Sequence, residues 1–156
     1  MTVITHARRR SRLAALIDSA GGVSVGIALD RARANIAELR DRGLEEVAQC
    51  TDELAAIAPP AADAAAFALQ QVYRAASRLI DAAAPFELDE VCATAVSLCE
   101  VVDRLAEEPA PDWRIVEVHV QSLRLLNALP PEAERERAEI TEQLRAMVAR
   151  KFPQAG

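Results

Sequence analysis

Apolar and polar positions recur along this chain with a period near 3.6 in every long segment, and none alternates at period two, so the pattern predicts helices throughout. From about Val25 to Ile57, the residues Leu29, Ala32, Ile36, Leu39, Gly43, Val47, Cys50, Leu54 and Ile57 follow three- and four-residue steps, the spacing of one packed helix face. A helix of that span would run about 50 Å, so it is expected to overhang its neighbours or to bend. Gly43 is the expected bend, and Pro59 with Pro60 ends the segment.

The pattern resumes at Ala61–Ala83, with Ala65, Leu69, Val72, Ala76, Leu79 and Ala83 on one stripe and Gln70, Arg74 and Arg78 facing outward. A helix over Glu87–Glu107 follows Pro85. Its acidic start, Glu87, Asp89 and Glu90, suits the positive end of the helix dipole, and Val91, Ala95, Leu98, Val102 and Leu105 form its buried stripe. Pro109 and Pro111 separate it from a helix over about Asp112–Ala128. Pro130 and Pro131 precede the last helix, which runs to about Lys151 with Ile140, Leu144, Met147 and Val148 inside. Its outer face is expected to carry the pairs Glu132–Arg135, Glu134–Arg137 and Glu142–Arg145. Ahead of all these, Thr5 to about Ala20 reads as a short basic helix led by Arg8, Arg9, Arg10 and Arg12, peripheral to the rest and stopped by Gly21 and Gly22. Short connections place successive helices side by side. The expectation is an all-α fold: an antiparallel up-down helical bundle of four to five helices, in one domain over residues 1–156.

Composition sharpens this picture. Half of the chain is hydrophobic but only 3% is aromatic, so the core must be built from Ala, Leu, Val and Ile, which favours closely approaching helices. The net charge of −6 argues against nucleic acid, whose phosphates require a basic surface. Cys50, Cys92 and Cys99 are odd in number and lie within helical patterns, as free thiols of a reducing, cytoplasmic compartment would. No apolar run reaches the roughly 18 residues of a membrane span, so no membrane insertion is expected.

His119 is the only histidine outside the N-terminal region. Its neighbours at three and four positions either way are Ile115, Val116, Ser122 and Leu123, which points the ring at the middle of an apolar face. A structural histidine, neutral and bonded to another helix, is the expected role. The alternative is a phospho-accepting histidine on a helical bundle. Phosphotransfer domains usually carry Lys three or four positions beyond that histidine, where this chain has Ser122 and Leu123. In Glu117-Val118-His119 the two ligating side chains would project about 200° apart, so no metal site is expected. With no nucleophile elbow and no phosphate-binding glycine loop, neither a catalytic residue nor a cofactor is expected. The flank of the same helix has another feature. Val118 and Leu125 extend the apolar arc beyond its inward face, and together with Trp113 they form a candidate interaction surface.

Three stretches resemble a small family found beside chemotaxis genes in alphaproteobacteria, the chemotaxis protein CheE family. They are Gly21-Gly22-Val23 leading into Ala28-Leu29-Asp30-Arg31-Ala32, then Ser97-Leu98-Cys99-Glu100-Val101-Val102-Asp103, and Val118-His119-Val120 through Leu123-Arg124-Leu125-Leu126. The resemblance implies an accessory role near a chemosensory or two-component pathway. Together with the absence of a catalytic motif, it makes a non-enzymatic adaptor or regulator the expected function, with a histidine phosphotransfer protein as the alternative. The expected partners are a signalling protein of that pathway and a second copy of the chain. That second copy would meet either the apolar flank of the Asp112–Ala128 helix or the overhang of the long second helix.

Overall fold

The computed structural model describes residues 23–153, and every regular element within them is helical. The basic helix expected over residues 1–20 lies outside the described residues. The α-helices are α1 (Val25–Glu38), α2 (Arg40–Ala55), α3 (Ala65–Ala83), α4 (Asp89–Leu105), α5 (Arg114–Ala128) and α6 (Glu134–Lys151). Short 3-10 turns at Ala62–Ala64 and Ala84–Phe86 lead into and out of α3. By their internal contacts the residues group into two compact units that meet in sequence at Ala37 and Glu38.

In the first unit, Ser24 starts α1: its hydroxyl accepts the Ile27 N–H at 3.3 Å and its carbonyl accepts the Ala28 N–H at 2.9 Å. The first satisfies one of the amide donors that a helix start leaves without partners, and the second is the first regular bond of the helix. Among the described residues none of α1 is buried, and Val25, Ile27, Leu29 and Ile36 are all exposed.

The expected single helix over Val25–Ile57 is therefore two. The interruption falls at Leu39, whose backbone (φ −92°, ψ 0°) lies in the sparsely populated bridge region. Gly43 is not the bend. Its N–H bonds the Leu39 carbonyl at 2.9 Å as in any helix, and its missing side chain serves another element. The Phe86 ring lies where a Cβ on Gly43 would stand. Arg40 Nη1 also donates to the Phe86 carbonyl at 3.4 Å, so both contacts tie the start of α2 to the turn between α3 and α4.

In the second unit, α3 packs most extensively on α4. Further pairs are α2 on α3, α4 on α5, and α2 on α5, and these four contacts close a ring of four helices. Helix α6 lies against α4 and α5. The core inside the ring is aliphatic and alanine-rich: Ala76, Ala83 and Ala95 are fully buried beside Val72, Leu79, Leu98, Val101, Leu105 and Leu123. Small side chains on the facing stripes of α3 and α4 let the two backbones approach. The low aromatic content follows from the same packing, because large rings would hold the helices apart.

Some of the polar atoms inside this shell are matched across helices. Thr51 on α2 donates to its own helix at the Val47 carbonyl (2.9 Å) and accepts from Asn127 of α5 at 2.7 Å, linking the two helices that close the ring. Helix α6 is the most polar member and buries only Arg137, Thr141 and Leu144. Of its expected inner residues, Ile140, Met147 and Val148 are only half-buried. Glu142–Arg145 forms an exposed pair at 3.7 Å as the spacing predicts. Arg137 corrects the expected outer-face pairing with Glu134. It turns inward, where its guanidinium reaches Glu90 Oε2 at 3.4 Å and the Leu126 carbonyl at 2.7 Å.

Candidate functional site

His119 sits on the inward stripe of α5 with Ile115, Val116, Val120, Leu123 and Leu126, and its ring is 0% exposed. Both ring nitrogens are engaged. Nδ1 lies 2.8 Å from the Ile115 carbonyl, which can only accept, so Nδ1 carries the proton and donates. Nε2 is thereby the acceptor, and the Ser97 hydroxyl of α4 donates to it at 3.1 Å. The ring pins α5 to α4 at mid-height.

Burial holds the His119 pKa below the ordinary imidazole value, because the charged ring would lose its hydration; the bond to the Ile115 carbonyl opposes this more weakly. The folded chain takes up the proton at lower pH than the unfolded chain does. The contribution of His119 to stability is therefore complete above about pH 6.5 and is lost as pH falls through the depressed folded value. In His119→Gln this component of the melting temperature's fall on acidification should vanish, read as a flatter profile between about pH 7 and pH 5. His119→Ala should cost about 1–3 kcal/mol, through lost packing and a Ser97 hydroxyl left without its acceptor. An Ala variant that melts with the parent would contradict this structural role.

The candidate interaction residues separate into two places. Trp113, at the start of α5, is half-buried against the core and borders a shallow depression with Pro60, Ala65, Pro109 and Pro111. Val118 and Leu125 lie elsewhere, on the solvent side of α5, at 46% and 50% exposure. They are two turns apart and line one groove of about 470 Å³ between α5 and α6, with Ile140 and Met147 as its opposite wall. Ser122, Gln143 and Arg150 supply its polar rim.

Asp112 fixes the entry to α5. Its carboxylate accepts from the Arg114 side chain at 2.8 and 3.0 Å and from the Arg114 backbone N–H at 3.3 Å. Lys151, at the end of α6, lies 3.4 Å away. The Arg114 hydrogen bond, aided by Lys151, holds this carboxyl well below the usual range. The position of α6 along the groove is thus anchored by charge at the α5 entry and by Arg137 at the α5 exit.

Chemistry of other kinds finds little support among the described residues. No group of three or more His, Cys, Asp and Glu side chains converges there as metal ligands would. The three cysteines are free, with Cys50 buried and Cys92 and Cys99 half-buried. Burial raises the pKa of each thiol, so the reactive thiolate is scarce. No helix of the described residues is long and apolar enough to cross a membrane.

Two contributors are not legible as such in the sequence. Ser97 lies on the flank of the α4 stripe, and nothing local marks it as the partner of a histidine on the next helix. Arg137 has Glu134 three positions before it, a local pairing that hides its inward role. Set against family models, curated proteins and solved structures, the chain matches none of them.

Proposed function

We propose that this chain is a non-enzymatic helical adaptor or regulator that acts by protein–protein interaction in a bacterial chemotaxis or two-component pathway. The observation that carries the reading is the α5–α6 groove. One face of α5 is committed to the core and pinned through His119, while Val118 and Leu125 remain outside it, opposite Ile140 and Met147. An apolar strip with a polar rim is the usual form of a helix-binding surface, in which anchors at helical spacing lie in a groove. The resemblance of Val118-His119-Val120 and Leu123-Arg124-Leu125-Leu126 to the chemotaxis-associated family supplies the pathway, and Val118 and Leu125 of the groove fall within the resembling stretch.

In this reading α2 to α6 form an antiparallel up-down bundle. Its support is the pairing of consecutive helices across short connections, together with closure of α2 onto α5. The chain is cytoplasmic in the same reading, which its free cysteines support. The partner is a signalling protein of the pathway, a receiver domain or a histidine kinase. Val118→Asp and Leu125→Asp together should weaken binding to that protein at least about a hundredfold, since two anchors of a groove are lost. Both residues are exposed, so the melting temperature should hardly move. Unchanged binding would remove the groove from the proposal.

A second copy of the chain is the proposed occupant of α1. Val25, Leu29, Ala32 and Ile36 follow the alternating four- and three-residue steps of a coiled-coil seam, and none of them is buried among the described residues. Light scattering at micromolar concentration should give twice the 16.8 kDa chain mass. Leu29→Glu with Ile36→Glu should return it to the chain mass. A monomer across the accessible concentration range would end the homodimer proposal.

The alternative, His119 as a phosphate carrier, receives less support. Phosphoryl transfer requires the accepting nitrogen to meet an aspartyl phosphate, and here Nε2 is enclosed and faces Ser97.

A further inference from the structure

Helix α1 buries none of its residues among the described ones, and Val25, Leu29 and Ile36 stand exposed along its seam. A free helix of 14 residues is marginal in water, so its helical state calls for a cover. Which way round a second copy lies on it follows from the sizes of the seam residues.

By their spacing, Leu29 and Ile36 take the a positions of a heptad and Val25 and Ala32 the d positions. Parallel two-stranded coils favour β-branched residues at a and Leu at d, and here no d position holds Leu. Two parallel copies would also stack like on like. The Ala32 layer would then be two methyl groups between layers of Leu29 and Ile36, which leaves a void. Antiparallel copies instead pair each a position with a d position of the partner. One two-fold axis, level with the Asp30–Arg31 peptide, does this for all four seam residues at once. Leu29 then meets the partner's Ala32 and Val25 meets the partner's Ile36, and each pairing recurs by symmetry. Every layer holds a larger and a smaller side chain, and no layer holds two alanines.

Charge favours the same direction. Helix α1 has no acidic residue in its first turn and no basic residue in its last, where Glu38 stands at the negative end of the helix dipole. Antiparallel pairing sets the Glu38 end of each helix beside the positive, amino-terminal end of the other. Parallel pairing would align the two dipoles and bring Glu38 to the same end as its own copy.

We propose that two copies of the chain associate through α1 as an antiparallel pair, with Leu29 against the partner's Ala32 and Val25 against the partner's Ile36. The inference rests on the reading that a second copy covers α1, and it adds the direction and register of that contact.

Sedimentation of the full chain reads the dissociation constant of the dimer. Val25→Lys with Ile36→Glu in one chain places opposite charges in both outer layers of an antiparallel pair, and like charges in both layers of a parallel one. Its dimer should hold at least about tenfold more tightly than that of Val25→Glu with Ile36→Glu, because like charges set face to face disfavour association strongly. Equal dissociation constants would overturn the proposal. Crosslinking decides the matter where neither charged seam dimerises. In a Cys92→Ser, Cys99→Ser background, Val25→Cys and Ile36→Cys chains are treated with a short bismaleimide. The two positions share a layer in the antiparallel pair, whereas Val25 stands about 16 Å along the helix from its own copy. An equal mixture of the two variants should give crosslinked dimers, and neither variant alone should. Crosslinking of Val25→Cys alone would show a parallel pair, so the homodimer reading would stand and this inference would fall. A parent chain that is dimeric by light scattering while no seam variant crosslinks would place the second copy on another face and overturn the inference too. A monomeric parent would remove the homodimer reading itself, and this inference with it.

Discussion

Leu98→Ala should lower stability by about 2–5 kcal/mol, the range for removing a large aliphatic side chain from a core that cannot collapse onto the space. Leu98 is fully buried on α4, the helix that contacts α3, α5 and α6, so three neighbours would have to move to refill its volume. The core offers little to refill it with, because the inward stripes of α3 and α4 already carry short side chains such as Ala76 and Ala95. For a unit of this size the melting temperature should drop on the order of 10 °C. A denaturant series should show a lower midpoint at unchanged slope, since the same surface is exposed on unfolding. A loss below about 1 kcal/mol would mean that the inward face of α4 is not the centre of the core. Val96→Ala on the outer side of the same helix, where the side chain is exposed, serves as the reference and should be nearly neutral.

Arg137→Ala should cost about 2–3 kcal/mol. The guanidinium joins three elements: from α6 it caps the end of α5 at the Leu126 carbonyl (2.7 Å) and reaches Glu90 near the start of α4 (3.4 Å). Its side chain is only 9% exposed, so solvent cannot readily take over these bonds. Truncation leaves a helix-terminal carbonyl without its donor and a partly buried carboxylate without its counter-charge. Arg137→Lys should recover less than half of the loss, because a single ammonium cannot reproduce the fork that serves both partners. Glu90→Gln should cost less than Arg137→Ala, since the shorter bond to Leu126 survives. A double-mutant cycle between the two positions would measure how much of the effect belongs to the ion pair. An Arg137→Ala variant within roughly 0.5 kcal/mol of the parent, the range of neutral surface changes, would contradict the inward placement.

How far the sequence can be read differs from element to element. The α3 and α4 stripes are largely legible, because long runs of period 3.6 lie between prolines and their inward positions carry mainly aliphatic side chains; Ala65 is only half-buried, and Ala68, Thr94 and Val101 are buried beyond the expected stripes. The division at Leu39 is not. The apolar steps pass through Ile36, Leu39 and Gly43 without a gap, and the visible helix breaker, Gly43, is reserved for contact with Phe86. That contact joins residues far apart in the chain, so no local pattern announces it. Helix α6 misleads for a related reason. Its apolar residues have the right period, but they border two grooves and do not enter one core, which leaves Ile140, Met147 and Val148 half-buried. His119 is legible as an inward-facing residue from its apolar neighbours. Its bond to Ser97 requires the juxtaposition of α4 and α5, which only the tertiary packing supplies.

The adaptor reading is tested most directly by titrating the isotopically labelled chain with the receiver domain and with the histidine kinase of the chemosensory pathway from the same cell. Backbone chemical shifts would be followed, with the receiver both unphosphorylated and phosphorylated. The account predicts that one of the two partners shifts the amides around Val118, Leu125, Ile140 and Met147, while the His119 ring signals keep their neutral, enclosed signature. Shifts centred on His119 with the appearance of a phosphohistidine signal, or no shifts with either partner at concentrations well above those of signalling complexes, would contradict it.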